Sequence, residues 1–162
     1  MVAVITGAAG AGKTTVGQAL AGRLGWQFVD ADDLHSPEHV EQMRHGVPLT
    51  DEQRQPWLER VHEVVAAAAA RGENLVVACS ALKARYREVI GRDVAGVVFV
   101  FLDASPELLR ARVAARPGHF MPATLVDSQL AALEPPADAV RVDAALPVET
   151  QVGIIRRAVA AD

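Results

Sequence analysis

Apolar residues in this chain fall into short continuous runs, with stretches of helical spacing between them. Shorter runs at 27–29 and 140–142 include Gln27 and Arg141, while the runs at 2–6, 75–79 and 97–102 are continuous. Strands buried on both faces of a parallel sheet look like this, whereas half-exposed strands alternate. Val16, Leu20 and Leu24 repeat on one helical face, and Trp57, Leu58, Val61, Val64, Val65 and Ala68 form a wider stripe on another. Helix starts are marked by Ser36-Pro37 and Ser105-Pro106-Glu107, each a capping residue before a proline, and by Thr50-Asp51-Glu52-Gln53, which fits a capping box. Strands alternating with helices predict an α/β fold of three layers, a parallel sheet between helices. In such folds ligands gather beyond the carboxyl ends of the strands. The residues that follow each apolar run are therefore the candidates for chemistry.

After the first run stands Gly7-Ala8-Ala9-Gly10-Ala11-Gly12-Lys13-Thr14, which matches the G-x-x-x-x-G-K-[ST] phosphate-binding loop between a strand and a helix. Glycines at 7, 10 and 12 let successive backbone N–H groups turn inward on an anion. Lys13 can reach the terminal phosphates, Thr14 can ligate Mg²⁺, and the following helix adds the positive end of its dipole. This pattern points to a nucleoside triphosphate and leaves the acceptor open.

The second run is followed by Asp30-Ala31-Asp32-Asp33-Leu34-His35. Two carboxylates at i and i+2 can share a site, one organising Mg²⁺ and the other accepting the proton of an attacking hydroxyl. After the third run comes Cys79-Ser80-Ala81-Leu82-Lys83. There Ser80 can cap the next helix. Lys83, in the first turn against the dipole's preference, implies either a nearby anion or a lysine pointing to solvent. Cys79 reads as a small buried side chain rather than a nucleophile. Arg54 can grip a carboxylate bidentately, although its spacing alone favours a solvated helix face. Arg110, Arg112, Arg116 and His119 precede or flank Pro117-Gly118, as in a basic helix running into a mobile loop. Arg116, nearest the break, is the candidate for a cation that stabilises charge in phosphoryl transfer. His35 and His39 have no third ligand at recognisable spacing, so no structural zinc is expected.

Composition narrows the partners. The chain has 162 residues, 51% of them hydrophobic and 22% charged, which suits one folded domain over 1–162. A net charge of −4 argues against a general nucleic-acid surface. A single cysteine precludes an intramolecular disulfide and fits a reducing compartment. The phosphate loop lies too near the start to leave room for a signal peptide ahead of it, and no apolar run is long enough to span a bilayer. A soluble cytoplasmic protein with no membrane or nucleic-acid partner is expected.

At this point the chain resembles the small phosphate-loop gluconate kinases, of the nucleoside-monophosphate-kinase-like fold, over nearly its whole length. The resemblance is carried by Asp30-Ala31-Asp32 with Leu34-His35, by Met43 through Gly46-Val47-Pro48-Leu49-Thr50-Asp51, by Arg54 with Pro56-Trp57-Leu58, and by Cys79-Ser80-Ala81-Leu82-Lys83 with Tyr86-Arg87. Arg116-Pro117-Gly118-His119-Phe120, Gln129-Leu130 and Leu133-Glu134-Pro135 continue it. It implies a P-loop NTPase fold with a five-stranded parallel sheet, a small mobile lid at about 113–123, ATP and Mg²⁺ as cofactors, D-gluconate as substrate and a homodimer.

Carried over by position, Gly7, Ala8, Ala9, Gly10, Ala11, Gly12, Lys13, Thr14, Thr15 and Arg112 would bind the nucleotide, with adenine between the Arg110/Arg112 region and residues 145–147. Thr14 and Asp30 would hold the metal, and Lys13, Asp32 and Arg116 would be catalytic. Asp32, His35, Arg54, Ser80, Lys83, Arg87 and His119 would bind gluconate. The alanines of the phosphate loop stand where the family often has serines, and Ala31 where glycine is common; neither change removes a needed donor. No lysine or arginine follows Phe120 directly. The alternatives are a kinase for shikimate or another sugar acid, or a nucleotide- and gluconate-sensing module without turnover.

Overall fold

The computed structural model describes residues 1–116 and 124–160. The part of the expected lid that contains His119 and Phe120 lies outside them. Five strands form one parallel sheet in the order β2-β3-β1-β4-β5: β1 (Val2–Thr6), β2 (Gln27–Asp30), β3 (Leu75–Ala78), β4 (Val97–Asp103) and β5 (Val140–Asp143). Every predicted run is a strand, and β2, β4 and β5 each extend to an aspartate at the carboxyl edge. Strand order reverses at β1, whose neighbours are β3 and β4, so the ligand crevice of an open α/β sheet falls at the end of β1.

Alternate side chains of the sheet feed two cores. Ala3, Ile5, Val76, Val100, Leu102 and Val142 face α1 (Lys13–Leu24), α5 (Pro106–Ala114), α6 (Thr124–Ala132) and α7 (Val148–Ala160), meeting Val16, Leu20, Leu109, Val126 and Ile155. Val2, Val4, Leu75, Val77 and Cys79 face the other way, onto Trp57, Leu58, Val61 and Val65 of α3 (Asp51–Ala70) and onto Tyr86 and Ile90 of α4 (Ala84–Gly91). The continuous apolar runs are thus explained by helices on both faces. A short helix α2 (Pro37–Arg44) connects the β2 edge to α3.

The capping signals operate as their spacing predicts. Ser36 accepts from His39 N, Ser105 accepts from Leu108 N, and Thr50 with Gln53 forms a reciprocal capping box. Ser80 does not cap α4. Ala81 takes a left-handed conformation (φ 39°), which delays the helix to Ala84, and Lys83 sits at the cap position without a side-chain cap bond.

The phosphate loop is pressed between the sheet and α5. Gly10 has φ +88°, and a Cβ there would stand 2.7 Å from the Leu109 carbonyl oxygen and 3.1 Å from Val113 Cγ2. Both the left-handed backbone and the close approach of α5 exclude a side chain at this position. Gly10→Ala is expected to cost about 2 kcal/mol and to lower the unfolding temperature by roughly 5 °C. Calorimetric unfolding checks this, and an unchanged transition would contradict the packing described.

Candidate active site

The crevice at the end of β1 is lined by Ala9, Gly10, Gly12, Lys13 and Thr14 of the loop, by Asp30, Asp32 and His35 after β2, by Arg54 and Trp57 of α3, by Ser80, Leu82 and Tyr86 beyond β3, and by Arg116 and Gln129. Residues far apart in sequence converge here because parallel strands end on one edge. The Lys13 ammonium donates to the Ala8 carbonyl at 3.1 Å, and burial pushes its pKa below the usual lysine range, against the opposing pull of Asp32.

Thr14 Oγ1 donates to Asp30 Oδ2 at 2.7 Å, and the Asp32 N–H donates to Asp30 Oδ1 at 3.0 Å. Asp30 therefore fixes both the hydroxyl of the loop and the 3₁₀ turn that presents Asp32. With its proton given to Asp30, the Thr14 hydroxyl keeps its lone pairs for a cation. A hydroxyl and a carboxylate side by side are the hard oxygen donors that Mg²⁺ takes alongside water and phosphate. The residues thus fit the ion, and Thr14 and Asp30 are the side chains that could hold it.

The turn carrying Asp32 is held from α3. Trp57 Nε1 donates to the Ala31 carbonyl at 2.7 Å, and Arg60 Nε donates to that of Leu34 at 2.8 Å. The His35 ring stacks on Trp57 at 4.2 Å between centroids. Burial, with His39, Arg54 and Arg60 nearby, pushes the His35 pKa down to about 4, so the ring is neutral near pH 7. Its buried Nδ1 has no hydrogen-bond partner among the described residues.

On the β3 side, Asp51 gathers cations. Its carboxylate accepts from the Tyr86 hydroxyl and from Lys83 Nζ at 3.3 Å, pairs with Arg85 at 2.5 Å, and lies 3.9 Å from Arg54 Nη1. The Tyr86 bond is the main reason its pKa falls to about 2. Lys83 thus has its anion in Asp51, and it does not line the crevice. Arg54 faces the crevice rather than solvent, its Nη1 donating to Tyr86 Oη at 3.3 Å.

Arg87, expected at the substrate, instead clamps the turn after β3. It donates to the carbonyls of Ala81 (2.8 Å), Leu82 (3.2 Å) and Glu134 (2.8 Å). Arg112 donates to the Gly10 and Ala11 carbonyls of the phosphate loop and, at 2.8 Å, to Ala144 just past β5, while Arg110 pairs with Asp127 on the exterior. Arg112 thereby joins the two segments expected to flank adenine. Burial pushes the Cys79 thiol up to about 12, which leaves it protonated and inert. Gln129 carried no chemical expectation from the sequence, yet its side chain enters the crevice beside the loop.

A parallel sheet with this strand order, a phosphate loop after β1 and a paired carboxylate edge after β2 define a phosphate-loop kinase. A family model described as an AAA domain matches residues 2–136. A gluconokinase of Gluconobacter oxydans is 48% identical, over 83% of this chain and 76% of its own length, and a probable gluconokinase of Xenopus tropicalis is 42% identical, over 96% and 89%. The crystal structure of a gluconokinase from Sinorhizobium meliloti superposes with a TM-score of 0.87 at 40% identity, covering 99% of this chain and 91% of that one. The chain belongs to the gluconokinase family.

The depressed His35 pKa has a consequence for stability. Below its ordinary value near 6.5 the unfolded chain binds a proton that the folded chain refuses until about pH 4. The His35 contribution is therefore complete above about pH 6.5 and is lost as pH falls from there toward 4. His35→Gln is expected to flatten the stability profile in that window, as followed by denaturant unfolding at stepped pH. An equally steep profile in the variant would show that His35 does not supply the slope.

Proposed function

We propose that the protein transfers the γ-phosphoryl group of ATP to the 6-hydroxyl of D-gluconate, giving ADP and 6-phospho-D-gluconate. The observation that carries this reading is the placement of Asp32, Lys13 and Arg54 on one crevice at the end of β1. The family membership supports the choice of gluconate. The loop amides and Lys13 bind the phosphates. Thr14 and Asp30 would hold Mg²⁺, which when bound would supply positive charge to the triphosphate. Asp32 accepts the proton of the acceptor hydroxyl as its oxygen bonds to the γ-phosphorus. The bond from that phosphorus to the bridging oxygen breaks, and its electron pair leaves with ADP. Lys13 and Arg116 offset the charge spread over the transferring group.

Arg54 is the cation assigned to the gluconate carboxylate, oriented by the Tyr86 hydroxyl. Neutral His35 and Ser80 are assigned to the sugar hydroxyls, which need donors and acceptors rather than charge. Lys83 and Arg87 act behind these groups, through Asp51 and the Ala81–Leu82 carbonyls. The same reading takes residues 1–162 as one kinase domain with a lid around 113–123, cytoplasmic and homodimeric, as the family resemblance implies. None of the described helices is long and apolar enough to cross a membrane.

Two variants separate the assigned roles. Asp32→Asn is expected to keep ATP affinity and lose about 10²- to 10⁴-fold in kcat, the range for removal of a general base. Near-normal turnover would remove Asp32 from that role. Arg54→Gln is expected to raise the KM for gluconate at least tenfold, with the KM for ATP within about twofold, as loss of a charge-assisted bond to one substrate requires. A parallel rise in both constants would refute the assignment. A coupled ADP-release assay over gluconate, other aldonic acids and shikimate tests the substrate itself, with gluconate expected to have the highest kcat/KM. A preference for shikimate or another acid, or ATP binding with no turnover on any of them, would overturn the reading.

A further inference from the structure

Gln129 of α6 has no part in the transfer described above, yet its amide is buried at the site. The residue is 9% exposed, lines the same crevice as Lys13 and Asp32, and accepts from the Ala9 N–H through Oε1 at 2.7 Å, across 120 positions of sequence. A buried amide can bond whichever backbone donor lies nearby, and that alone would mean little. This donor, however, belongs to the phosphate loop, where N–H direction is the means of binding.

The acceptor is also anchored independently of the loop. Two residues past the end of α6, the backbone of Glu134 donates to the Leu82 carbonyl at 2.8 Å, its Oε1 accepts from Ala84 N at 2.9 Å, and its carbonyl accepts from Arg87 at 2.8 Å. The arm that carries Gln129 is thus tied to the turn after β3. A second clamp reaches the loop from α5, where Arg112 holds the Gly10 and Ala11 carbonyls. One side chain therefore holds the loop by a donor and another by its acceptors. Both come from helices that follow β4.

We propose that Gln129 is a positioning residue for nucleotide binding. Its carbonyl oxygen holds the Ala9 amide, and with it the curl of residues 8–11, in the conformation that receives the triphosphate. The loop is thereby preset by a contact from α6 rather than shaped by the arriving phosphate. The inference rests on the nucleotide half of the proposed function and not on the identity of the acceptor.

The test uses Gln129→Met, which keeps length and volume and removes the strong acceptor, and Gln129→Glu, which keeps an acceptor at the same reach. Affinity for Mg²⁺-ADP is measured by calorimetry without gluconate, and exchange of the Ala9 amide by NMR. Gln129→Met should bind Mg²⁺-ADP about tenfold more weakly, the loss expected for one buried hydrogen bond. Its KM for gluconate should stay within about twofold of the wild type. Ala9 exchange, slow in the nucleotide-free wild type, should accelerate about tenfold or more in Gln129→Met and remain slow in Gln129→Glu. Unchanged Mg²⁺-ADP affinity in Gln129→Met, or equal losses for nucleotide and gluconate, would overturn the proposal. Should Gln129→Met not fold, the wild-type measurement decides, because an Ala9 amide that exchanges rapidly before nucleotide is added contradicts a preset loop. A wild type that binds Mg²⁺-ADP but turns over no gluconate would defeat the proposed function and leave this inference standing.

Discussion

The site depends on one constraint: a loop that binds phosphate through its backbone must be shaped by something other than its own side chains. Residues 7–12 are glycine and alanine, and they offer no side-chain bonds with which to fix themselves. The surrounding fold does it. Gly7 N donates weakly to the Ser80 carbonyl at 3.4 Å, Ala9 N is held by Gln129, and the Gly10 and Ala11 carbonyls by Arg112. Gly10 is wedged under the Leu109 carbonyl. The alanines are accommodated because Ala8, Ala9 and Ala11 are themselves buried in the core that α1 and α5 share. A phosphate site of this kind is a property of the packed domain, which is why the loop sequence on its own names a ligand class and no acceptor.

The distribution of charge around the crevice follows the same logic. Asp51 collects Lys83, Arg85 and the Tyr86 hydroxyl on the rear side of the β3 turn. Lys13, Arg54 and Arg116 line the crevice together with Asp30 and Asp32, with Arg54 keeping a longer 3.9 Å approach to Asp51. Cations that would otherwise crowd a negatively charged substrate pair with an internal anion. The cations that do face the crevice stand with the carboxylates of Asp30 and Asp32. The stacking of His35 on Trp57 adds a neutral, oriented ring beside them. An overall negative chain thereby carries a locally anion-accepting site.

Much of this was legible in the residues. The five runs became five strands: burial on both faces demands uninterrupted apolar sequence in the central β3, β1 and β4, while the edge strands β2 and β5 tolerate Gln27 and Arg141. The loop and the Asp30–Asp32 edge were found by looking where parallel strands end. Capping chemistry located the starts of α2, α3 and α5, since those bonds are local. What was hidden depended on distant partners. Ser80 looked like a cap until the left-handed Ala81 postponed α4 to Ala84. Lys83 showed a mismatch with the helix dipole but not its partner Asp51, which lies 32 residues away. The spacing of Arg54 favoured a solvated face, yet the residue lines the crevice, and Arg87 had no signal to show that it braces backbone. Gln129 belonged to the family resemblance but carried no chemical role there, because its meaning comes from a contact across the fold.

The most direct measurement is phosphorus NMR of the products formed by purified protein with Mg²⁺-ATP, with and without D-gluconate. A phosphomonoester on the 6-oxygen is expected to appear in step with ADP, with little ADP and inorganic phosphate when gluconate is left out. Equal ADP release in both samples, or a phosphoryl group on any other oxygen of the sugar acid, would contradict the proposed transfer.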